Sequence, residues 1–181
     1  MNRPRHFNFL ARLLHWSMAL AILAMLFVGA GMVVSLQYRA PLLDLHRPLG
    51  IAILLLAIVR LLNRLSRPTP PLPADLPAIQ KLAAHASHWL LYALMLAMPL
   101  IGWAMLSAGG YPIALFGGVH LPAILPHSPE VYGMLRPLHT ILAYVLFLTI
   151  LVHLGAALFH AWVRRDEVFG QMAKGEQGAE R

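Results

Sequence analysis

The chain has 181 residues, of which 59% are hydrophobic and only 12% are charged, and its mean hydropathy is +0.67. This composition excludes a soluble globular protein and indicates a membrane protein. Each crossing of the bilayer takes about 20 apolar residues, so the length allows roughly four or five helices and no soluble catalytic domain besides. The net charge is +7, but the basic residues flank apolar runs, which argues against a nucleic-acid partner.

Cysteine is absent from the chain. This excludes iron–sulfur clusters, thiolate zinc sites, disulfides and the covalent attachment of a c-type haem. Any haem must therefore be held without covalent links to the protein.

Four apolar segments predict an all-α membrane protein, a four-transmembrane-helix bundle that forms one domain over residues 1–181. The expected spans are about 11–35, 44–65, 82–106 and 137–164. Pro48 suits the first turn of the second helix, whereas Pro99 predicts a kink inside the third. The long connection before the fourth span is rich in Gly and Pro, and residues 131–135 are a candidate for a short interfacial helix.

The distribution of basic residues predicts that both termini are cytoplasmic in a bacterial inner membrane, since Lys and Arg accumulate on the cytoplasmic side. Eleven basic residues share the side of the termini, namely Arg3, Arg5, Arg12, Arg60, Arg64, Arg67, Lys81, Arg164, Arg165, Lys174 and Arg181. The opposite side has Arg39, Arg47 and Arg136. Arg60 and Arg64 are expected to end the second span by extending their side chains to the interface.

Histidines inside the apolar spans are the candidate functional residues, because ionisable groups in a membrane are costly. His139 and His153 lie 14 residues apart on the fourth helix, on nearly the same face and about 21 Å apart along its axis. They cannot share a metal. Antiparallel helix order places His15 at the depth of His153, and His46 at the depth of His139.

Two stacked pairs of imidazoles, with no carboxylate or thiolate nearby, suit the axial positions of two haem b irons better than a zinc site. The alternative is that these histidines are polar contacts between helices, hydrogen-bonded to hydroxyl groups or carbonyl oxygens. Four histidines matched in depth favour haem.

The sequence resembles the bacterial cytochrome b561 family from about residue 9 to residue 172. The matching stretches are His15-Trp16, His46-Arg47-Pro48-Leu49-Gly50, Ala84-His85-Ala86-Ser87-His88 with Leu91-Tyr92, Pro99-Leu100-Ile101-Gly102-Trp103, and His139 with His153. The resemblance implies a four-helix bundle with two haems b, ligated by the same four histidines that depth pairs. Phe159-His160-Ala161-Trp162 departs from the family's usual pattern after the last ligand.

Members that resemble this sequence include superoxide oxidases that reduce ubiquinone, so the resemblance implies a superoxide:ubiquinone oxidoreductase. Arg47 follows His46, and Arg136 lies one turn before His139, which gathers positive charge beside the outer haem. These arginines are expected either to attract superoxide or to pair with haem propionates.

Ubiquinone needs protons and hydrogen-bond donors when it is reduced. His88, at the start of the third helix, and His160, seven residues after His153, are the candidate contacts near the inner haem. Ordinary interfacial histidines are the alternative. His85 and His88 are spaced for a metal ion, but no third ligand is evident.

Two other functions stay open. A haem-binding anchor subunit would use the same four histidines to pass electrons between a dehydrogenase or hydrogenase partner and quinone. A small haem-free transporter fits less well, because the spans lack acidic residues and show no inverted repeat.

Overall fold

Four long helices dominate the fold of the computed structural model, which describes residues 4, 6–111, 113–115 and 118–174. Helix α1 spans Phe9–Val34, α2 spans Arg39–Ser66, α3 spans Ala78–Ala108 and α4 spans Pro129–Phe159. Each is long and apolar enough to cross a bilayer, which confirms the expected four-helix membrane fold. Of the basic residues used to predict orientation, Arg3, Arg5 and Arg181 lie outside the described residues.

Side-chain caps explain where α1 and α4 begin. The Asn8 side chain accepts a hydrogen bond from the Ala11 N–H at 2.7 Å. Ser128 caps α4 by accepting from the Val131 N–H, and Pro129 occupies the first turn, where its missing N–H costs nothing. Helix α4 therefore begins at Pro129, ahead of the apolar span predicted from about residue 137, and the stretch 131–135 lies within its first two turns rather than in a separate interfacial helix.

The start of α2 also differs from the sequence prediction. The helix begins at Arg39, so Pro48 lies inside it, is buried and does not occupy the first turn. That prediction was wrong because Pro41, two residues after the helix start, already meets the first-turn preference. His46 consequently lies about two turns inside α2 instead of at its beginning. Pro99 likewise lies within α3, which runs unbroken through it.

Short elements complete both ends of the bundle. Between α3 and α4, β1 (Ile113–Ala114) pairs antiparallel with β2 (His120–Leu121). After α4, His160–Arg164 form a π-helical turn that ends at Arg165 in the left-handed conformation, and α5 spans Glu167–Ala173. Helix α5 folds back on the start of the chain, because the Trp16 indole N–H donates to the Met172 carbonyl at 3.3 Å.

Helix packing is closest between sequential neighbours. Helix α1 packs along α2, α2 contacts α3, and α3 packs along α4. A core cluster of Met18, Ala57, Tyr92 and Met95 joins the first three helices. Many large apolar side chains point outward, such as Phe27, with 78% of its surface exposed. Such an apolar exterior suits a protein surrounded by lipid. We call the end where α1 begins and α4 ends the terminal face, and the opposite end the loop face.

Candidate functional site

The first histidine pair lies toward the loop face. His46 of α2 and His139 of α4 face each other with ring centres 6.2 Å apart and ring planes inclined by 67°. The Nδ1 atom of His46 is buried and has no hydrogen-bond partner among the described residues. Because buried polar atoms are ordinarily hydrogen-bonded, this nitrogen is open to a partner that the described residues do not supply.

A glycine on the third helix brings the backbone of α3 close to this pair. A Cβ atom built on Gly102 would lie 3.3 Å from Cε1 of His139, closer than most van der Waals contacts. The absence of a side chain at Gly102 therefore lets α3 support the His139 ring directly.

The second pair lies toward the terminal face. His15 of α1 and His153 of α4 have ring centres 6.3 Å apart and ring planes inclined by 65°. The ring of His88, from α3, lies 5.5 Å from that of His153. Three imidazoles from three helices thus meet at this depth, whereas two meet at the loop-face pair.

Arg60 distinguishes the terminal-face pair further. Its Nη2 atom donates to Nδ1 of His15 at 2.8 Å, because a guanidinium has donors only. The ring proton of neutral His15 is then on Nε2. If His15 held a haem iron through Nε2, its ring proton would instead be on Nδ1, and the Arg60 contact would have to loosen. The same guanidinium also lies over the Tyr92 ring, with its carbon 5.7 Å from the ring centre, and this cation–π contact does not depend on His15.

The separations within both pairs fit one metal ion held between two imidazoles. A metal–imidazole bond is about 2 Å and the ring centre lies about 1 Å beyond the nitrogen, so two rings on opposite sides of one ion have centres about 6 Å apart. No group of three or more His, Asp or Glu side chains able to hold a bare ion is found in the described ranges. A haem iron would need only two protein ligands, and each of these pairs could supply two.

The facing histidines come from helices that are not closely packed neighbours. The helix pairs that carry facing histidines are α1 with α4, and α2 with α4. Neither is among the closely packed helix pairs of the described residues. Each of the two histidine pairs would therefore fit a haem held between two helices.

Comparison with known proteins identifies the family of this chain. The family model of prokaryotic cytochrome b561 matches residues 6–175. This chain belongs to the prokaryotic cytochrome b561 family. Membership and the four apolar helices make it a multi-pass bacterial membrane protein that binds haem b and transfers electrons.

Individual relatives cover most of the chain. Cytochrome b561 homolog 2 of Escherichia coli (strain K12) is 30% identical over 177 residues, which are 94% of this chain and 93% of that protein. Probable superoxide oxidase CybB of Yersinia pestis is 35% identical over 147 residues, 78% of this chain and 80% of the relative. Cytochrome b561 homolog 1 of Escherichia coli (strain K12) is 30% identical over 129 residues, 71% and 73% of the two chains.

The two arginines predicted beside the outer haem occupy different environments. Arg47 is largely buried, lies 3.7 Å from the Asp44 carboxylate, and its Nε has no partner among the described residues. Arg136 is exposed on α4. Arg47 is thus directed into the bundle near His46, while Arg136 faces the surroundings of the loop face.

The two residues predicted to contact quinone, His88 and His160, also lie in different surroundings. His88 lies against the terminal-face pair, as described above. His160 is in the π-helical turn, and its Nδ1 lies 2.7 Å from Oδ2 of Asp166. Arg164 donates to the same oxygen at 3.0 Å and to Asp75, of the α2–α3 connection, at 2.6 Å. A π-helical turn often marks a functional site, and here it turns His160 toward these charges.

Sequence reasoning missed the roles of Arg60 and Asp166. Arg60 does not end α2 but lies more than one turn inside it, on the face of the buried residues Ile53 and Ala57. Its spacing of three and seven residues from these apolar positions was a signal for an inward side chain. Nothing in the sequence pattern marked Asp166, because its partners lie in a turn that only the π-helical geometry creates.

Proposed function

We propose that this cytochrome holds two haems b, one between His46 and His139 and one between His15 and His153. The observation that carries this proposal is the ring separation of 6.2 and 6.3 Å in the two pairs. The unpartnered Nδ1 atom of His46 supports it, because this nitrogen would be free to donate if Nε2 held the haem.

We further propose that the protein oxidises superoxide at the loop face and reduces ubiquinone in the membrane. A haem iron with two histidine ligands exchanges single electrons and has no open position for oxygen. Two superoxide anions each lose one electron and leave as oxygen, and ubiquinone takes up both electrons with two protons. The relative named a probable superoxide oxidase supports this substrate choice.

Positive charge at the loop face supports superoxide as the donor. Arg47 lies on the same helix as His46, and Arg136 lies on the same helix as His139. An anion is drawn toward such positive charge at low ionic strength. Arg47 is also placed to pair with a haem propionate, since its buried Nε lacks a partner among the described residues. Arg47 could serve both roles, because a charge that pairs with a propionate also contributes to the field at the surface.

We propose that ubiquinone binds near the terminal face, at His88 and His160. His88 lies beside the His153 ring, at the depth from which the electrons leave. His160 is hydrogen-bonded to Asp166, and a carboxylate–imidazole pair near the membrane surface is suited to deliver protons to a quinone oxygen.

The proposed orientation puts the terminal face in the cytoplasm of a bacterium with the chain in the inner membrane. Among the described residues, eight basic side chains belong to the terminal face and three to the loop face. The eight are Arg12, Arg60, Arg64, Arg67, Lys81, Arg164, Arg165 and Lys174. Superoxide would then react on the periplasmic side, and protons would come from the cytoplasm.

The deciding experiment is a haem determination followed by stopped-flow spectroscopy of the purified chain, mixed with superoxide and then with ubiquinone. Two haems b per chain, reduced by superoxide and reoxidised by quinone, are the expected result. Two haems that do not respond to superoxide would overturn the donor assignment and favour an anchor subunit fed by a partner protein. A chain without haem b would contradict the ligand assignment itself.

A further inference from the structure

A basic cavity lies at the terminal face, apart from both histidine pairs. It measures about 460 Å³, which is within the range of ligand-binding pockets. The N-terminal segment, the first turn of α1 and the end of α2 line it. Its lining residues are Pro4, His6, Phe7, Asn8, Phe9, Arg12, Arg67 and Pro68. We call it the basic cleft.

The charges of the basic cleft have no acidic partner among the described residues. Arg12 and Arg67 line it together with His6, and none of its lining residues is acidic. Neither arginine forms an ion pair with a carboxylate of the described residues, whose ion pairs involve Arg47, His160 and Arg164 instead. A cavity that gathers cationic side chains without an acidic partner has the electrostatics of an anion site.

Two buried polar atoms in the basic cleft also lack partners. The Nε of Arg12 and the Nδ1 of His6 are shielded from solvent and make no hydrogen bond with any described residue. A guanidinium N–H left unpaired in a buried position is costly, so the position favours an acceptor that the described residues do not supply. The planar guanidinium groups of Arg12 and Arg67 match the oxygens of a phosphate group in particular.

Lipid-facing surface adjoins the same cavity. Phe9 lines it and has 72% of its surface exposed, and Leu13, one turn further along α1, has 50% exposed. Leu65, just before the arginine at the end of α2, is 65% exposed. The cleft therefore lies where two membrane spans end, with charged residues inside it and apolar residues beside it.

We infer that the basic cleft binds the phosphate group of an anionic phospholipid, with the acyl chains lying along the exposed apolar side chains of α1 and α2. Basic pockets at the ends of membrane helices are suited to such headgroups. A second, smaller cavity, lined by Arg60, Arg64 and Tyr92, shares Phe7, Asn8, Arg67 and Pro68 with the cleft. A lipid in the cleft therefore lies next to the residues around His15.

The test is native mass spectrometry of the full haem-loaded chain in detergent, titrated with dioleoylphosphatidylglycerol or with dioleoylphosphatidylcholine. We expect one phosphatidylglycerol to bind more tightly than phosphatidylcholine. Each of Arg12→Gln and Arg67→Gln should weaken that binding about fivefold, and the double variant more. Arg165→Gln, the same charge change at an exposed position of the same face but outside the cleft, should leave it unchanged.

Three results would overturn the inference. Equal binding of the two lipids would contradict a headgroup site. An equal loss of phosphatidylglycerol binding in Arg165→Gln would show that the lipid responds to the overall surface charge and not to the cleft. Competition by inorganic phosphate as effective as by the lipid would assign the cleft to a soluble phosphate. Should the double variant not fold, as judged by its haem spectrum, the exposed Arg67→Gln variant alone decides between these results.

Discussion

The two histidine pairs share one geometry and differ in everything around it. Their ring centres are 6.2 and 6.3 Å apart, but at the loop-face pair Nδ1 of His46 has no partner among the described residues, and Arg47 lies 3.7 Å from the Asp44 carboxylate. At the terminal-face pair, a guanidinium contacts His15, and His88 adds a third ring. The separation fits the proposed ligation of haem iron, and charge and hydrogen bonding would set the chemistry of each haem.

The largest effect is expected when the pairs are taken apart. His46→Ala or His139→Ala should abolish the loop-face haem, and His15→Ala or His153→Ala the terminal-face haem, because each iron loses an axial ligand. Haem content per chain should fall from two to one in each variant, with complementary changes in the spectra. His88→Ala should retain both haems. The loss of both haems from every one of the four variants would contradict independent pairs.

The rate of reaction with superoxide is expected to depend on the loop face alone. The Arg47→Gln, Arg136→Gln double variant should slow the reaction about tenfold at low ionic strength and reduce its salt dependence, since electrostatic attraction is lost. Stopped-flow reduction by superoxide measures this. Arg165→Gln at the terminal face is the matched control. A double variant as fast as the unmodified chain would exclude steering by these residues.

Arg60 is expected to separate the reduction potentials of the two haems. A positive charge beside a ligand favours the reduced iron, which carries one charge less. Arg60→Gln should therefore lower the potential of the terminal-face haem by about 60 mV, a tenfold change in a one-electron equilibrium. Spectroelectrochemical titration should find the loop-face haem unchanged. A shift of both potentials by the same amount would show that the charge acts on the whole protein rather than on His15.

Gly102 is expected to matter only because it contacts His139. Alanine stabilises a helix by about 0.5–1 kcal/mol relative to glycine, and Gly29→Ala should gain this because no atom lies within 4 Å of its added Cβ. In Gly102→Ala, the contact at 3.3 Å with His139 should cancel the gain and perturb the spectrum of the loop-face haem. Thermal unfolding of the two variants makes the comparison. Equal stabilisation would show that the His139 ring moves freely.

The smallest effect concerns Asp166 at the terminal face. Burial raises the pKa of Asp166, but hydrogen bonds from His160, the Val168 N–H and Arg164 together lower it below its ordinary value of 3.8. A lowered pKa in the folded state means that this carboxylate stabilises the fold at neutral pH, and that the contribution is lost as the pH falls below that ordinary value.

The emission of Trp16 should report this change, because its indole contacts Met172 at the end of α5. In a variant with Trp16 as its sole tryptophan, acidification should shift the emission as α5 detaches. Asp166→Asn should show the shifted emission already at neutral pH, whereas Glu167→Gln, an exposed neighbour, should not. Emission unaffected by Asp166→Asn would show that α5 is held without this carboxylate.

Much of this architecture follows from the apolar segments of the sequence, which are present before the chain folds. Four spans in a chain without cysteine follow from composition, since backbone groups in lipid must be paired within helices. The depth matching of His15 with His153 and of His46 with His139 follows from a rise of about 1.5 Å per residue in antiparallel helices. Helix starts are less accessible, because Pro41 and Pro48 give the same local signal and only one is in a first turn.

Tertiary structure decided what surrounds the histidines. The inward direction of Arg60, the approach of Gly102 to His139 and the bond between His160 and Asp166 depend on how helices rotate and pack. Hydropathy does not specify that rotation, because in lipid an apolar side chain is accommodated on either side of a helix. By itself the sequence determined the number of helices and the depth of each histidine, and packing between distant segments determined the charges and contacts that those histidines meet.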